Sequence, residues 1–238
     1  ANPHQRPRHF ANTPIKKGIK MKKLTFKDCS LTQLDKAFGL TQIWQCELLK
    51  KWENNSCEIT AFEKESLLNF QEALIRGGRA WNEVELENKF ISPLIMTAKI
   101  DDGKIGYFLE RPLLGIVGDY ELSGTVDGMI ASGFREPGEP YFCFHEYKRS
   151  IENQGSPDAQ VLAAMLVARE MNQNTMPIYG LFVVGLVWNF VLLNGQEYCI
   201  SAEYTAANED IFAIFKMLKA LKQIIKSELS ANTAAPLK

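Results

Sequence analysis

Apolar and polar residues alternate along two segments near the middle of the chain, 120–130 and 141–148, and this period of two predicts β-strands. The first predicted strand carries Asp127 in its middle. The second ends in Glu146 and Lys148, which share one face because side chains two residues apart in a strand point the same way. Burying either charge alone is costly, so we expect the pair to meet other charged groups or to lie at an open end of the sheet.

Helical periodicity precedes these strands. Apolar residues recur at helical spacing between 31 and 52, with Gly39 as an expected interruption. A second helix begins with the capping box of Thr60 and Glu63 and ends at the two glycines 77–78. The aromatic residues of both helices are typical of a hydrophobic core, and neither helix carries a chemical motif. We therefore interpret residues 26–78 as a helical extension that forms a lid or a buttress.

A third predicted helix carries a group of acids. Asn82 is a suitable N-cap with Glu85 three residues later, and Pro93 is expected to end or kink the helix. Glu83 and Glu87 are four residues apart and therefore lie on one face. The helix dipole also favours acids near a helix N-terminus, so capping and solvation explain these residues when they are taken alone.

The segment after this helix predicts a three-stranded meander. A turn at 101–104 leads into a strand near 105–109, and the two strands described above follow it. A helix is then predicted at 158–171, with Gln160 in its first turn, twelve residues after Lys148. Gln160 could reach back toward the end of the third strand, although a surface glutamine is the simpler explanation when this residue is taken alone.

Further strands and a last helix complete the pattern. The run 179–193 is almost continuously apolar, which is typical of strands covered on both faces, and the Asn194-Gly195 pair predicts a hairpin turn before a strand at 197–203. The last helix, near 211–225, is amphipathic. Its polar face carries the four lysines Lys216, Lys219, Lys222 and Lys226. A solvated face is the simplest explanation of this basic stripe, and contact with phosphate is the alternative.

Composition is that of an ordinary globular domain. The chain has 238 residues and 46% hydrophobic content, enough to bury a sizeable core as one domain. It has neither an apolar run as long as a membrane span nor a signal-peptide pattern at its start, so we expect a cytoplasmic protein without a membrane partner. The five cysteines are scattered and form no CxxC pair, which favours reduced thiols and argues against a zinc site.

Histidine chemistry is disfavoured as well. The chain has three histidines, and two of them lie near the N-terminus, at positions 4 and 9. The third, His145, could serve a Ser-His-Asp triad, but a partly buried histidine within a strand is the better interpretation.

Charge is unevenly distributed along the chain. Residues 1–27 contain eight of the 27 Lys and Arg residues and no acid, so the remainder carries 19 basic and all 28 acidic residues, a net charge of −9. We interpret residues 1–25 as a basic flexible tail, which could neutralise phosphates. The alternative is that Met21 is the natural start of the protein. The acidic body is unfavourable for a nucleic-acid binder unless its positive charge is gathered on one side or bound cations offset it.

The acids in the predicted strands suit one type of chemistry. Two carboxylates on neighbouring strands, Asp127 and Glu146, can share a hard divalent cation, and an adjacent ammonium such as that of Lys148 can orient water and stabilise a phosphorane. The pattern acid-x-Lys also occurs at 87–89 and 102–104, in a predicted helix and a predicted turn. Only the copy at 146–148 follows a strand with a central Asp, and this context carries the inference.

The order helix, three strands, helix, strand, with these residues in it, resembles the PD-(D/E)XK nuclease superfamily. The resemblance covers about residues 80–203. Within it, 81–94 and 185–190 are similar to segments of the nuclease domain of type I restriction enzyme subunits. Val126 stands where the motif's name has Pro, and Ala164 stands where the related exonucleases carry Tyr.

The resemblance implies both a fold and a set of roles. The fold is an α/β restriction endonuclease-like mixed sheet with an αβββαβ core, flanked by helices and followed by an extra C-terminal hairpin, in a nuclease-like domain at 79–230. Asp127 and Glu146 would bind the metal ion, together with the main-chain carbonyl of Tyr147. Lys148 would activate water or stabilise charge in the transition state, Glu83 would hold a second metal ion or a bridging water, and Gln160 would orient the site.

The function implied is that of a metal-dependent nuclease, with Mg²⁺ or Mn²⁺ as cofactor and DNA, or alternatively RNA, as partner; a homodimer is left open. The main alternative is a catalytically inactive PD-(D/E)XK-fold domain that binds nucleic acid or protein. A third hypothesis is an enzyme that uses Glu83 and Glu146 as an acid/base pair, for example on a sugar.

Overall fold

The computed structural model of the chain describes residues 21–148, 156–173 and 176–234. The strands that it contains are β1 (Lys22–Thr25), β2 (Thr41–Gln42), β3 (Ile105–Val117), β4 (Tyr120–Ser132), β5 (Gly138–Lys148), β6 (Ile178–Val184), β7 (Val187–Asn194), β8 (Glu197–Ile200) and β9 (Tyr204–Thr205). The helices are α1 (Leu31–Phe38), α2 (Glu47–Glu53), α3 (Ala61–Gly77), α4 (Glu83–Leu86), α5 (Ser92–Thr97), α6 (Pro157–Met171) and α7 (Asp210–Ala234).

The strands form one mixed sheet with helices on both faces. Its main order is β1-β4-β5-β6-β7-β8-β2, with β3 paired to β4 and β9 paired to β7. The meander β3-β4-β5 is antiparallel, whereas β5 and β6 are parallel and are connected through α6. A parallel pair needs such a crossover, because its second strand must start at the end where the first began. The predicted sequence of helix, three strands, helix and strand is thus the order found.

Two hydrophobic clusters lie on the two faces of this sheet. One contains Cys143 and Tyr147 of β5 and includes α7, and the other contains Phe144 of the same strand and surrounds α6. This division confirms the predicted alternation from Cys143 onward, but Phe142 lies in the same cluster as Cys143, so the expectation that it shares a face with Phe144 is wrong. Helix α6 is buried continuously from Ala159 to Arg169, as expected for a helix whose apolar residues run all the way round. The crossover helix is therefore the centre of its layer.

The N-terminal third of the chain is built into the same sheet and core. Lys22–Thr25 pair with β4 as a parallel strand, so the predicted tail is too long by these four residues; residues 1–20 lie outside the described part. The segment 26–78, predicted as a helical extension, supplies β2 to the sheet through β8 and the fully buried Trp52 to the core. Strands of two and four residues show no periodicity, which is why the sequence did not reveal them.

The acidic third helix continues further than predicted. Helical residues run without a break from Glu83 to Thr97, because a π-helical turn at Glu87–Ile91 joins α4 to α5. Of the two outcomes expected for Pro93, an end or a kink, the end is wrong, because the helix continues to Thr97. The π-helical turn, a local change of helical geometry, ends two residues before Pro93. Phe90, Ile91 and Leu94 are fully buried and anchor the segment.

Most other predicted elements are found close to their predicted positions, with a few differences. The helical run predicted at 31–52 is divided into α1 and α2 with β2 between them, and Trp44 and Phe62, which were interpreted as core, are exposed. Helix α7 continues to Ala234 instead of ending near 225. Strand β3 extends to Val117 instead of ending near 109, because Pro112 and Gly115 stand in a strand that pairs with β4 along one side only. Proline is tolerated in such edge strands, where its lack of an N–H interrupts no ladder. None of the helices in the described ranges combines the length and the apolar character needed to cross a bilayer.

Candidate active site

The centre of the candidate site is the point where β4 and β5 part. The two strands pair from Gly128 opposite His145 onward, but the residues before Gly128 have no partner in β5. There the Asp127 side chain accepts a hydrogen bond at Oδ2 from the main-chain N–H of Tyr147, with a distance of 2.6 Å. Asp127 thus accepts a hydrogen bond from a main-chain N–H that has no partner in the β4–β5 ladder. This bond fixes its carboxylate in the notch between the two strands.

Strand β3 has an irregularity opposite the same position. Its ladder with β4 pairs Leu109 with Gly128 and Arg111 with Val126, but skips Glu110 and Asp127. Glu110 adopts φ of +49°, in the left-handed region that residues other than glycine rarely enter. Its charge contributes to raising the pKa of Asp127. Glu110 was not predicted, because no sequence signal marks a skipped pair in a ladder.

Lys148 is held by two acids from different elements. Its Nζ lies 2.8 Å from Oε1 of Glu146 and 4.0 Å from Oε1 of Glu83. The Glu146 side chain is 6% exposed, the Lys148 side chain 20% and the Glu83 side chain 55%. The structure therefore brings Asp127, Glu146, Lys148 and Glu83 together, as the sequence predicted, with Glu146 the most deeply buried of them.

The ionisation of this group follows from burial and mutual repulsion. Burial, then the charge of Asp127, raises the pKa of Glu146 to about 7, although Lys148 opposes the change. Burial also raises the pKa of Asp127, against the hydrogen bond from Tyr147 and the charge of Lys148. Burial lowers the pKa of Lys148, but the bond and charge of Glu146 outweigh it, so that this pKa is raised. Lys148 is therefore a permanent cation at neutral pH.

Glu87 belongs to the same acidic surroundings. Burial, followed by the charges of Glu110 and Asp127, raises its pKa. The sequence placed Glu87 on one helix face with Glu83 but gave it no role. Charge interactions connect five acids in and around the notch: Glu83, Glu87, Glu110, Asp127 and Glu146. Two of them, Glu146 and Glu83, contact the ammonium of Lys148.

Gln160 is buried in the first turn of α6, so the surface alternative is wrong. A Cβ at Gly180 would meet Val161 and Met165, so this stretch of α6 lies over Gly180 and its neighbour Phe144. Helix α6 runs back along the parallel strands, so its first turn, which carries Gln160, lies toward the C-terminal ends of β5 and β6, the end of β5 that carries Glu146 and Lys148. No hydrogen bond joins it to the acids, and its buried Nε2 has no partner among the described residues.

His145 lies on the opposite face of β5 from Glu146 and is 1% exposed. Its Nδ1 is 2.8 Å from the hydroxyl of Tyr147, and that hydroxyl is 3.0 Å from the hydroxyl of Tyr107. Burial lowers the pKa of His145 to about 3, so the ring is neutral. This environment agrees with a buried strand histidine, as predicted, rather than a triad base.

The basic stripe of α7 is mostly used inside the molecule. Lys219 donates to both carboxylate oxygens of Glu63 at 2.9 Å, and Lys226 is 2.7 Å from Asp102. Lys222 donates to main-chain oxygens of Lys99 and Asp101, the latter at 3.5 Å. These contacts connect α7 to the N-terminal helices and the 99–102 turn, and leave little of the stripe free for phosphate.

The residues of the notch fit a hard divalent cation in their chemistry. The donors are carboxylates and a main-chain carbonyl. Burial is the main cause of the raised pKa values of Asp127 and Glu146, and the charges of neighbouring acids, which a bound cation would offset, add to it. Across the described residues, however, no three His, Cys, Asp or Glu side chains are already arranged to hold a metal ion. The ammonium of Lys148, rather than a further carboxylate, is the group bonded to Glu146.

Comparison with known proteins adds no relative to this description. No protein-family model matches the chain, and no match to it was found among curated proteins.

Proposed function

We propose that the chain is a metal-dependent nuclease that hydrolyses the phosphodiester bonds of DNA. The observation that carries the proposal is the convergence of Asp127, Glu146 and Lys148, from two strands, in one notch where those strands part. A buried carboxylate, Glu146, and a partly buried one, Asp127, both with raised pKa values, lie beside a permanent ammonium. They match what phosphodiester hydrolysis needs: a place for a cation and a fixed positive charge.

The order of the elements supports the same proposal. A helix with Glu83, a strand with Asp127, a strand with Glu146 and Lys148, and a crossover helix with Gln160 follow one another as in the PD-(D/E)XK superfamily. We propose on this basis a restriction endonuclease-like arrangement for the core. The proposal rests on these residues and their order alone.

Each residue has a role that its surroundings suggest. Asp127, Glu146 and the carbonyl of Tyr147 would hold Mg²⁺ or Mn²⁺, which neutralises charge on the phosphate and lowers the pKa of bound water. Because its pKa is raised, Lys148 would stabilise negative charge in the transition state rather than take a proton. Glu83 keeps Lys148 oriented from the helix side and would hold a second metal ion or a bridging water. Gln160 would orient the site through its amide donor, which has no partner in the part of the chain that the structure describes.

The test is DNA cleavage by purified full-length protein. Plasmid and linear DNA are incubated with Mg²⁺, Mn²⁺ or EDTA, using wild type, Asp127→Asn and Lys148→Met. We expect cleavage that requires metal and falls by about 100-fold or more in each variant. The matched control is Lys50→Met, which removes an exposed lysine that is 3.0 Å from Glu47, and should cleave like wild type.

Two results would overturn the nuclease proposal. Metal-dependent cleavage that persists in both variants would assign the activity to other residues or to a contaminant. DNA binding that weakens steeply with salt, without cleavage under any metal, would instead favour the inactive binding domain. Whether the chain forms a homodimer is a separate question, which light scattering on the purified protein would answer.

A further inference from the structure

The Tyr147 side chain is the centre of a buried hydrogen-bonded chain behind the candidate site. Its hydroxyl lies between Nδ1 of His145, at 2.8 Å, and the hydroxyl of Tyr107, at 3.0 Å. Tyr107 belongs to β3, and Tyr147 and His145 belong to β5. Since β4 lies between these strands, the chain of hydroxyls and imidazole spans the strand that carries Asp127.

Gly128 makes this crossing of β4 sterically feasible. A Cβ at Gly128 would be 3.0 Å from Nδ1 of His145, 3.0 Å from Cε2 of Tyr107 and 3.1 Å from the Tyr147 hydroxyl. All three distances are too short for a side chain to be added without movement of the ring groups. The residue next to Asp127 thus leaves room for the polar chain that passes over it.

The main chain of Tyr147 makes a second contact, with the side chain of Asp127 in β4. Its N–H donates to Asp127 at 2.6 Å, at the point where the β4 and β5 ladder has ended. Along its other edge, β5 remains paired with β6, and Tyr147 lies opposite Val183. Beyond Gly128, therefore, the bond to Asp127 connects β5 to β4, and the hydroxyl of Tyr147 connects β5 to Tyr107 of β3.

We propose that Tyr147 is a positioning residue, whose hydroxyl, held by His145 and Tyr107, fixes the backbone segment that orients Asp127 and offers its carbonyl to the metal ion. The role of the Tyr147 carbonyl toward a metal ion rests on the proposed nuclease function. The orientation of Asp127 by the Tyr147 backbone does not depend on that function. A buried hydroxyl between two partners fixes the rotation and depth of the ring, and so the position of the attached backbone.

The first measurement needs no activity. Tyr147→Phe keeps the ring and removes the hydroxyl, and amide hydrogen exchange by NMR of the full chain reports on the N–H of residue 147. We expect this amide to exchange about fivefold faster than in wild type, with an upfield shift of its proton, as the bond to Asp127 loosens. Tyr107→Phe should change it in the same direction and by less. An unchanged amide in Tyr147→Phe would overturn the inference.

The second measurement is binding of Mn²⁺ alone, without DNA, by titration calorimetry. Loss of an outer partner of a metal ligand weakens binding by about tenfold or more, and we expect that factor for Tyr147→Phe. The control is Tyr198→Phe, which removes the hydroxyl of another fully buried strand tyrosine, one bonded to Asp35 at 3.5 Å. Tyr198→Phe should lower thermal stability but leave both the exchange of the residue 147 amide and the Mn²⁺ affinity unchanged. If the role of Tyr147 were merely structural, Tyr147→Phe would give this same result.

The outcomes separate the two proposals. Wild-type protein that neither binds Mn²⁺ nor cleaves DNA contradicts the nuclease proposal, while the amide measurement still decides whether Tyr147 positions Asp127. Wild-type protein that binds and cleaves, with Tyr147→Phe equal to it in Mn²⁺ affinity and in kcat and KM, contradicts the positioning role and leaves the nuclease proposal intact.

Discussion

Glu146 and Lys148 form an ion pair within one strand, with Nζ 2.8 Å from Oε1, although the acid is almost completely buried. Residues two apart in a strand share a face, so the pair follows directly from the alternation of β5. The cation does not bring the acid back to its ordinary ionisation: burial and the charge of Asp127 still raise the pKa of Glu146 to about 7. The acid is thus poised to change its charge near neutral pH.

The first prediction concerns stability without metal. The folded pKa of Glu146, about 7, lies above its ordinary value of 4.5, so between these pH values the folded state holds a proton that the unfolded state has lost. Stability from this group is therefore present below about pH 4.5 and is lost as the pH rises to about 7. Glu146→Gln cannot titrate, so its free energy of unfolding relative to wild type should increase from pH 5 to pH 8. Urea denaturation with EDTA at several pH values measures this difference.

His145 makes the comparison with a variant necessary. Its folded pKa, about 3, lies below the ordinary 6.5, so it contributes stability that is present above about 6.5 and is lost as the pH falls towards 3. The two groups therefore oppose each other between pH 4.5 and 6.5 in wild type, and the Glu146→Gln difference isolates one of them. A difference that stays constant from pH 5 to pH 8 would contradict the raised pKa of Glu146.

The second prediction concerns metal binding. Because Asp127 and Glu146 must lose their protons to bind a cation, Mn²⁺ affinity should fall by up to about tenfold for each pH unit below 7. Titration calorimetry at pH 8, 7 and 6 measures the dependence. Asp127→Asn should bind weakly at every pH. Equal affinity of wild type at pH 6 and pH 8 would mean that these carboxylates are not the ligands.

Much of this site could be predicted from the sequence because its residues lie on regular elements. Period two alone placed Glu146 and Lys148 on one face, and helical spacing placed Glu83 and Glu87 together. Glu110 could not be predicted in the same way, since its role depends on a skipped pair between β3 and β4 and on a backbone conformation of φ +49°. Such irregularities result from tertiary structure and have no local pattern.

The fold was predictable to a similar extent. Long elements such as α6 and β4 have enough residues for a period to be visible, and their positions agree with the prediction. The short strands β1 and β2 form because a partner strand offers free hydrogen-bonding groups, which the sequence of four or two residues does not indicate. For the same reason the N-terminal helices were interpreted as an extension rather than as part of the core.

The third prediction tests the crowding at Gly128. Alanine there would push against His145, Tyr107 and Tyr147 at 3.0–3.1 Å, and overpacking of this kind costs about 1–3 kcal/mol of unfolding free energy. Gly138→Ala is the matched control in the neighbouring strand, because its Cβ would meet only Ser132 O at 3.6 Å, an ordinary contact. Urea denaturation should show the loss for Gly128→Ala and little change for the control. Equal stability of the two variants would show that the groups behind Gly128 can move freely.

The fourth prediction tests whether the N-terminal helices belong to the cooperative core. Trp52 is fully buried, and its Nε1 donates to the carbonyl of Met217 at 2.8 Å. Its ring packs edge-on against the rings of Tyr179 and Phe190, with 5.1 Å between ring centroids in both pairs. Trp52→Ala should therefore cost about 3–5 kcal/mol, in a single transition seen by both fluorescence and circular dichroism. Trp44 is 87% exposed, so Trp44→Ala should change stability by no more than about 0.5 kcal/mol. If Trp52→Ala instead unfolds in two separate steps, residues 26–78 form an independent unit, because only a cooperative core transmits the loss of one side chain to the whole sheet.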